Sequence, residues 1–513
     1  MTRSSESNSR PGESKLLSPR GLLLALALLM LLAFGLRMID LTDAPLDFHP
    51  TRQYRGALIA RSIYYQLSPA EDPQEQARAL ADRNVVAELE PPILESLVAL
   101  GYLVAGGEQL WIARIINSLF WLLGGWALYH LARRYSTPLA ALLALAYFLF
   151  LPFAVSASRS FQPDPLMVTL IALTALAATR WAEERTWKWT VLAGLAAGAS
   201  VLVKAVAFYY VGGILLAIVL SERGLREALR EWQVWGMAAL AILLPSLYYL
   251  PNVADAGGSY IQNWVIRLLP IAYDGAFYVR WLNFLGELFG LTIIALALIG
   301  VLLAGRRYRA LLVGLWAGYV LYGITLPHQT LTHNYYHLPL TLIVALSLAP
   351  LLAVIVAAVA RLEPKWHWAF AALLLAAITF NGWLSRSNVL AEDHRAEIAY
   401  WERVGAVLPT DGKSIGLVQH YGHLLNYYGQ RNIALWPVTS EIRLAALRGN
   451  DMDDFEAAFL ERTAGMDYFL VTTFNQLSQQ TLLEDYLNTH FAILDEGAGY
   501  RIYDLRMNRS PDS

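Results

Sequence analysis

Long apolar runs recur along this chain from residue 20 to residue 384, and they constrain its fold more than any other feature. Eleven such runs are bounded by charged or turn residues, at 20–38, 111–132, 137–155, 165–181, 187–203, 205–221, 233–251, 286–304, 309–326, 338–360 and 366–384. A helix that crosses the hydrocarbon core of a bilayer needs about 20 apolar residues, and most of these runs approach that length. We therefore predict a polytopic α-helical membrane protein with about 11 transmembrane helices.

Composition supports this fold class and excludes several functions. Of the 513 residues, 56% are hydrophobic and only 16% are charged, and the net charge of −2 predicts no nucleic-acid partner. The 16 Trp and 27 Tyr fit aromatic belts at the membrane surface, so we expect membrane lipids as partners. Because the chain has no cysteine, it has no disulfide, thiolate metal site or thiol nucleophile.

Three regions are predicted. Residues 1–19 form a polar, disordered tail, and the first run, preceded by Arg20, is interpreted as an uncleaved anchor. Residues 20–385 form the membrane domain, in which a long first loop spans 39–110. Residues 386–513 contain the helix-like "EDHRAEIAYWERVGAVL" and the strand-like "KSIGLVQH", "NIALWP" and "MDYFLVT", which indicate a soluble C-terminal α/β domain.

Basic residues predict the orientation, because Lys and Arg accumulate in short cytoplasmic loops. One set of loops holds thirteen: Arg133, Arg134, Arg180, Arg185, Lys188, Arg223, Arg226, Arg230, Arg306, Arg307, Arg309, Arg361 and Lys365. The shorter loops opposite hold four: Arg159, Lys204, Arg267 and Arg280. We therefore expect a multi-pass protein of the cell membrane with a cytoplasmic N-terminus and an extracytoplasmic C-terminal domain.

The polar chemistry is collected at the predicted outer face. It lies in "LDFHPTRQYRG", "ELEPPILE", "SRSFQPDP", "VKAVAFYY" and "PHQTLTHNYYH", whereas the middles of the predicted spans contain no Asp, Glu, Lys or Arg. A transporter would place ionisable residues along a pathway at mid-membrane depth, so this pattern favours an enzyme at the outer leaflet. Apolar helices would shelter a lipid tail, and Arg and Lys would bind its phosphate.

Six segments, in order along the chain, resemble the GT-C superfamily of membrane glycosyltransferases over roughly residues 20–385. They are "DFHPTRQYRGALIAR", "EPPILESLVALGYL", "ARIINSLFWLLGGWALYHLARR", "SRSFQPDPLM", "LVKAVAFYY" and "HNYYHLPL". The closest resemblance is to bacterial relatives of protein O-mannosyltransferases and of the aminoarabinose transferases that modify lipid A. It implies transfer of a hexose or pentose, with inversion, from a polyprenyl-phosphate sugar donor to an acceptor at the outer face. The sugar is not predicted, and the acceptor could be a protein, a lipid or a glycan.

Asp47 matches the family's acid in the first loop, and the reaction needs a carboxylate base to deprotonate the acceptor hydroxyl. Pro50 is well placed as the first residue of a helix, so Asp47 and His49 would lie at a helix N-terminus, whose dipole keeps a carboxylate ionised. We predict a catalytic role for Asp47 and substrate contacts for His49 and Gln53.

Arg52 and Arg55 are three residues apart and would share one face of that helix, where both could reach a phosphate. The alternative is that they reach lipid headgroups or pair with Asp43. Lys204 resembles the family's outer-face lysine, which contacts the donor phosphate, and Arg114 is a similar candidate. Each of these four cations could also be an ordinary interfacial side chain.

Asp164 matches a second acid of the family and is predicted to be catalytic, sharing its functional role with Gln162 and with Arg159, which is predicted to contact the substrate. Because Pro165 follows it, the alternative is that Asp164 caps a helix whose first residue is that proline.

His333 and His337 have the i, i+4 spacing of a metal pair, but Pro339 follows closely and "YYH" is common at membrane interfaces. We predict substrate contacts for both histidines and for Tyr336, with a divalent metal as an open alternative and no certain cofactor.

Two other functions compete with a transferase: a flippase or transporter of lipid-linked sugars, and a non-catalytic scaffold for the cell envelope.

One departure from the family bears on the donor. Many relatives carry a lysine or another polar residue directly before the "PP" pair, where this chain has Glu90. A carboxylate there would repel a phosphate, so it would bind a cation or an acceptor group, or the donor would be positioned differently.

Overall fold

A computed structural model of the chain describes residues 18–68, 72–86, 90–449 and 454–508. The chain divides into two compact units. The first, which we call the helical unit, contains residues 1–41, 89–94 and 111–392, and the second, the sheet unit, contains residues 42–88, 95–110 and 393–513. The sequence predicts the 39–110 loop as part of the membrane domain, whereas most of this loop clusters with the C-terminal region.

The helical unit is a bundle of long apolar helices. Their bounds are Pro19–Arg37, Trp111–Tyr135, Pro138–Phe150, Pro152–Arg159, Asp164–Glu184, Trp187–Val203, Ala207–Ala228, Trp232–Tyr260, Gly275–Phe289, Leu291–Leu303, Arg306–Thr325, Pro327–Thr332, Leu338–Val359 and Pro364–Val389. Short 3₁₀ turns cover Leu269–Tyr273 and Asn334–His337, and Ile261–Ile266 is a π-helical turn.

Seven helices within the described residues are long and apolar enough to cross a membrane, or nine if each of two bent pairs is one span. All eleven predicted runs fall on helices, but two do not meet the criteria of length and composition. Trp187–Val203 has only 17 residues, and Arg306–Thr325 begins with three arginines in its first four residues. Length and composition therefore support seven to nine of the eleven predicted spans.

Local sequence explains where the two bent pairs break. Leu151 is extended and Pro152, which has no backbone N–H, opens the next helix, so the chain turns by 62° there. The second break, of 93°, occurs at Gly290, whose φ of 78° is accessible mainly to glycine.

Glycine also sets one close helix crossing, between Ala207–Ala228 and Arg306–Thr325. A Cβ atom on Gly213 would collide with the carbonyl oxygen of Gly314, and a Cβ atom on Gly314 would collide with that of Gly213. Small residues allow helix backbones to approach closely in membrane proteins, where packing rather than the hydrophobic effect drives association.

The sheet unit combines short helices with one five-stranded sheet. The strands are β1 (Ser414–Leu417), β2 (Ala434–Leu435), β3 (Tyr468–Val471), β4 (Phe491–Gly497) and β5 (Tyr500–Asn508), in the order β2-β1-β3-β5-β4. The helices are Pro50–Leu67, Pro73–Val85, Ile93–Ala105, Arg395–Val407, His423–Tyr427, Thr439–Leu447, Phe455–Thr463, Phe474–Ser478 and Thr481–His490. The C-terminal α/β domain predicted from the sequence is confirmed.

Strand β1 pairs in parallel with β2 and β3, with Ser414 opposite Tyr468 and Gly416 opposite Leu435. Strand β5 runs antiparallel to both β3 and β4. The sheet packs on an aromatic core that contains Trp436, Phe459, Phe469 and Tyr503, all buried. The three strands predicted from "KSIGLVQH", "NIALWP" and "MDYFLVT" correspond to β1, β2 and β3.

Part of the first loop packs against the C-terminal region inside the sheet unit. The hydroxyls of Tyr54 and Tyr428 are 2.9 Å apart, and Arg61 Nη1 donates to the carbonyl of Tyr427 at 2.9 Å. These bonds connect residues more than 360 positions apart in the sequence. The loop therefore gains its rigidity from residues that no local pattern connects to it.

Candidate functional site

The helical unit holds a buried ion pair at one end of the helix Asp164–Glu184. Lys204 occupies the short turn between Trp187–Val203 and Ala207–Ala228, as predicted, and its Nζ donates to both carboxylate oxygens of Asp164 at 2.8 and 3.0 Å. The side chains are only 5% and 2% exposed. A buried pair of this kind offers little net stability, because removing both charges from water costs several kcal/mol.

Two tyrosines complete the surroundings of that lysine. Nζ of Lys204 lies 4.7 Å from the ring centroids of both Tyr335 and Tyr336, within range of a cation–π interaction. Tyr336, predicted from the sequence as a substrate contact, therefore lies beside the predicted phosphate contact. The two residues belong to segments about 130 positions apart in the sequence.

Two buried arginines lie near each other in the same unit. Arg114 Nη1 donates to the carbonyls of Asp40 and Leu41 at 3.0 and 2.9 Å, and Arg159 Nη2 donates to the same Asp40 carbonyl at 3.0 Å. Asp40 has a left-handed backbone conformation, with φ of 48°, so it lies in a turn and does not continue the first helix. The structure thus brings Arg114 and Arg159 together through the end of the first helix.

The loop between Arg159 and Asp164 is held by a neighbouring helix. Asn117 Nδ2 donates to the carbonyls of Ser160 and Gln162 at 2.5 and 2.9 Å, and all three residues are buried. Asn117 was not predicted as a site residue, since a single asparagine inside an apolar run has no distinguishing pattern. Its contacts fix the loop that positions both Arg159 and Asp164.

The capping alternative for Asp164 is wrong. Asp164 is the first residue of its helix, and Pro163, whose side chain cannot accept a hydrogen bond, precedes it as the N-cap. Its carboxylate instead accepts from Lys204, 40 residues later. An Asp that precedes a Pro occurs both where the Asp caps a helix and where it is the first residue of the helix and its side chain bonds to another element. Only the fold distinguishes the two cases.

The histidine pair does not form a metal site. His337 is buried, its Nε2–H donates to the carbonyl of Thr330 at 2.8 Å, and its Nδ1 accepts from the hydroxyl of Tyr319 at 2.6 Å. Both ring nitrogens are therefore occupied, which also leaves none to bind a substrate. His333 lies in extended backbone, and its Nδ1 is 2.7 Å from the hydroxyl of Thr332.

Across the described ranges, no cluster of three or more His, Asp and Glu residues could hold a metal ion. The divalent metal considered from the sequence therefore has no assigned ligands.

The sheet unit holds the remaining five predicted residues, Asp47, His49, Arg52, Gln53 and Arg55. Pro50 is the first residue of the helix Pro50–Leu67, as predicted, and His49 precedes it as the N-cap. Asp47 therefore lies just before a helix N-terminus. His49 has φ of 50°, an uncommon conformation for a residue with a Cβ atom, and such strain occurs most often at functional sites.

Gln53 fixes the loop that carries Asp47. Its Nε2 donates to the carbonyl of Phe48 at 2.8 Å, to that of Pro45 at 3.1 Å and to Oδ1 of Asp47 at 3.3 Å. Gln53 is fully buried. Its contacts are those of a positioning residue for Asp47, whereas the sequence predicts it to touch the substrate.

Arg52 and Arg55 extend from the first two turns of the same helix, where Arg52 is half-buried and Arg55 is buried. The structure places Arg55 near a histidine of the C-terminal region that the sequence did not single out. Burial, which has the largest effect, lowers the pKa of His423 to about 4, together with electrostatic repulsion from Arg55 and His420. This imidazole is therefore neutral at pH 7.

His423 follows a strained turn at the carboxyl end of β1. His420, Tyr421 and Gly422 are successive left-handed residues, with φ of 52°, 57° and 67°. Ligands of parallel sheets commonly bind beyond the carboxyl ends of strands, and a sequence "VQHYGH" directly after a predicted strand could have indicated this location. The site residues predicted from the sequence include none from the C-terminal region, and therefore do not include His423.

One family model matches part of the chain. Residues 89–249 match the family model described as dolichyl-phosphate-mannose-protein mannosyltransferase. This segment includes Arg114, Arg159, Asp164 and Lys204, whereas Asp47 precedes it. Comparison by sequence with curated proteins finds no match.

Solved structures match the chain over nearly all of its length. ArnT from Cupriavidus metallidurans in the apo state has a TM-score of 0.55 and 16% identity, with 94% of this chain and 97% of that chain covered. The same protein bound to undecaprenyl phosphate gives a TM-score of 0.52 and 15% identity, with 95% and 98% covered.

Two larger proteins share the architecture. The oligosaccharyltransferase AglB from Archaeoglobus fulgidus, in complex with an inhibitory peptide and a dolichol-phosphate, has a TM-score of 0.54 and 13% identity, with 92% of this chain and 72% of that chain covered. The arabinofuranosyltransferase AftD from mycobacteria has a TM-score of 0.54 and 18% identity, with 95% and 42% covered. The resemblance predicted from the sequence is therefore confirmed: over nearly its whole length, this chain has the fold of the GT-C membrane glycosyltransferases.

Proposed function

We propose that the protein is an inverting glycosyltransferase, which moves a sugar from a polyprenyl-phosphate donor to an acceptor at the outer face of the membrane. The fold supports a reaction of this general type. Undecaprenyl phosphate bound to ArnT and dolichol-phosphate bound to AglB support a lipid phosphate as the carrier. The sugar and the acceptor stay open.

The buried Lys204 is the observation on which the proposal rests. Its ammonium group is removed from water, paired with Asp164 and enclosed by Tyr335 and Tyr336, an arrangement that stability alone does not explain. Arg114 and Arg159 add two further buried cations to this unit. Preorganised cations stabilise the negative charge that develops on a departing phosphate.

The reaction assigns distinct roles to the candidate residues. The acceptor hydroxyl attacks the anomeric carbon as its proton passes to the Asp47 carboxylate, and the bond from that carbon to the phosphate oxygen breaks. The bonding electrons leave with the lipid phosphate, whose charge Lys204, Arg52 and Arg55 would neutralise. In this scheme Gln53 and Asn117 are positioning residues, and Asp164 orients Lys204 or serves as a second acid.

Turnover by an Asp47→Asn variant tests the proposal. Asparagine keeps the size of the side chain but is no base, so we expect turnover to fall by about a hundredfold or more while lipid-phosphate binding persists. The measurement uses protein in nanodiscs with radiolabelled polyprenyl-phosphate sugars of several kinds. Near-normal turnover in this variant would remove Asp47 from the mechanism.

A matched Asp164→Asn variant and two alternative activities sharpen the experiment. If Asp164 only orients Lys204, its variant loses donor affinity together with turnover, whereas loss of turnover alone would make it a second catalytic acid. Movement of intact donor across the bilayer without cleavage would support a flippase instead. If the protein binds no lipid phosphate and neither cleaves the donor nor moves it across the bilayer, the result would support a non-catalytic scaffold.

A further inference from the structure

A polar pocket lies inside the sheet unit, lined by none of the predicted site residues. Its volume is about 200 Å³, and it opens between the helix Pro73–Val85 and the segment that follows the helix His423–Tyr427. Its polar lining consists of Arg61, Glu75, Arg78, Asp82, Asn426, Gln430 and Asn432. Nearly every side chain that faces this space therefore offers a hydrogen-bond donor or acceptor.

The floor of the pocket is a buried carboxyl and an amide. With its nitrogen turned toward the carboxyl, the Asn426 amide donates to both oxygens of Asp82, at 2.8 and 3.1 Å. Asp82 and Asn426 are 9% and 6% exposed. Burying these groups costs free energy, and a groove that served only packing would be filled by apolar side chains.

Hydrogen bonds and a cation–π contact hold the walls of the pocket in place. Arg61 Nε donates to both Glu108 oxygens at 3.0 and 2.9 Å, and its guanidinium lies 3.6 Å from the ring centroid of Tyr427. On the opposite wall, Arg78 Nη1 donates to Gln430 Oε1 at 2.5 Å. Polar groups fixed in this way are preorganised for a ligand, since little side-chain freedom would be lost on binding.

The charges of the lining side chains balance. Arg61 and Arg78 carry two positive charges, and Glu75 and Asp82 can carry two negative ones. Glu75 accepts from the hydroxyl of Tyr65 at 2.8 Å, which further disperses its charge. A pocket for a phosphate or a carboxylate would have an excess of cations, so this lining suits a neutral ligand rich in hydroxyl groups.

We propose that this pocket binds one neutral monosaccharide unit of a glycan-bearing acceptor. A sugar hydroxyl is donor and acceptor at once, and adjacent hydroxyls match the paired groups of Asn, Gln, Asp and Arg side chains. The assignment of the ligand as an acceptor rests on the proposed transferase function, whereas binding of the sugar itself does not. The site would hold the acceptor through a sugar away from the reacting hydroxyl.

Saturation-transfer NMR on the full-length protein in nanodiscs tests this proposal. The probes are the methyl glycosides of glucose, galactose and mannose, with glucose 6-phosphate as a charged comparator. We expect at least one methyl glycoside to bind, and glucose 6-phosphate to bind more weakly. No binding by any of the three glycosides, or tighter binding of the phosphate, would overturn the proposal.

Substitutions at the rim of the pocket test where the sugar binds. Asn432 is exposed at the rim, so Asn432→Trp fills the pocket and should weaken binding by about tenfold, and Asn432→Ala should weaken it by a few-fold. Thr489→Trp, at an exposed position of a separate groove, should leave binding unchanged. Equal binding by the wild type and Asn432→Trp would refute the site.

The same protein separates this proposal from the proposed reaction. Asp47→Asn should bind the methyl glycoside as the wild type does, because Asp47 does not line the pocket. If no donor is ever turned over but the glycoside still binds and is lost in Asn432→Trp, the pocket stands and the transferase function fails. If turnover is normal and no glycoside binds, only the pocket fails.

Discussion

The two ends of the helix Asp164–Glu184 use charge in opposite ways. The helix has 21 residues, so its ends are about 30 Å apart. At the Glu183 end, Arg134 pairs with Glu183, and Glu222 accepts from Arg307 at 2.8 Å and from Arg185 at 3.4 Å. Those side chains are between 14% and 36% exposed. At the Asp164 end, the pair with Lys204 is buried.

The two kinds of ion pair differ in what they are expected to contribute to stability. Ion pairs near the surface contribute at most about 1 kcal/mol to the free energy of unfolding. The arginines at the Glu183 end are explained by the tendency of basic residues to accumulate at one face of a membrane protein. A buried pair carries a desolvation cost that an apolar pair would avoid. A helical unit that tolerates such a cost at its Asp164 end is expected to use those charges, and experiments on both ends of the helix test that expectation.

The largest effect is the all-or-none labelling of the two faces. The chain has no cysteine, so Asn388→Cys and Gly305→Cys each introduce a single thiol at an exposed position, near the Asp164 end and the Glu183 end respectively. We expect a membrane-impermeant maleimide to label Asn388→Cys in intact cells and Gly305→Cys only after lysis. The reverse pattern would place the Asp164 end in the cytoplasm and exclude an outer-leaflet reaction.

Removing one cation from each end should affect turnover very differently. Lys204→Met removes a charge from the proposed donor site, so we expect turnover to fall by roughly a hundredfold, whereas Arg307→Met should leave it nearly unchanged. Turnover is measured with the polyprenyl-phosphate donor in nanodiscs.

Lys204→Met also leaves Asp164 buried and unpaired, at a cost of about 3 kcal/mol or more in unfolding free energy. The double variant Lys204→Met, Asp164→Asn removes this cost, so it should regain thermal stability without regaining turnover. Recovery of both would reduce Lys204 to a structural role.

A third experiment extends the comparison to the sheet unit. Arg52→Ala should lower kcat/KM by about thirtyfold, equivalent to about 2 kcal/mol, if Arg52 holds the donor phosphate. Arg462→Ala, at an exposed position of the helix Phe455–Thr463, is the matched control and should change nothing. Equal rates in the two variants would make Arg52 an interfacial side chain.

The smallest effect concerns Asp82, a buried carboxyl partnered by an amide rather than by a cation. Burial raises its pKa to about 6, despite the opposing charges of Arg61 and Arg78 and with a small contribution from Glu108. The folded protein therefore holds this proton more tightly than the unfolded chain, so the unfolding free energy falls as pH rises from about 4 to 6.

Asp82→Asn removes that dependence. We expect the variant to be more stable than the wild type by about 1 kcal/mol at pH 7.5, less than the full value of the shift because the carboxyl borders an open pocket. The difference should shrink at pH 4.5, in thermal unfolding followed by tryptophan fluorescence. A variant less stable than the wild type at pH 7.5 would show that the charged carboxylate stabilises the fold.

Local sequence determined the elements of this protein. Apolar runs predicted the helices of the membrane domain, Pro50 predicted the start of its helix, and alternation with turn residues predicted three strands of the sheet. Each of these features depends on interactions within a few residues: helix periodicity, the missing N–H of proline, and the extended preference of β-branched and aromatic residues.

Tertiary structure decided which of the predicted residues work together. Asp164 bonds to Lys204 rather than capping its own helix, and both ring nitrogens of His337 are used within the bundle. Part of the first loop packs with the C-terminal region, and Arg55 acts on the pKa of His423. These partners are tens to hundreds of residues apart, and the free energy that selects them comes from burial and hydrogen bonding in the packed fold, which no local pattern of residues encodes.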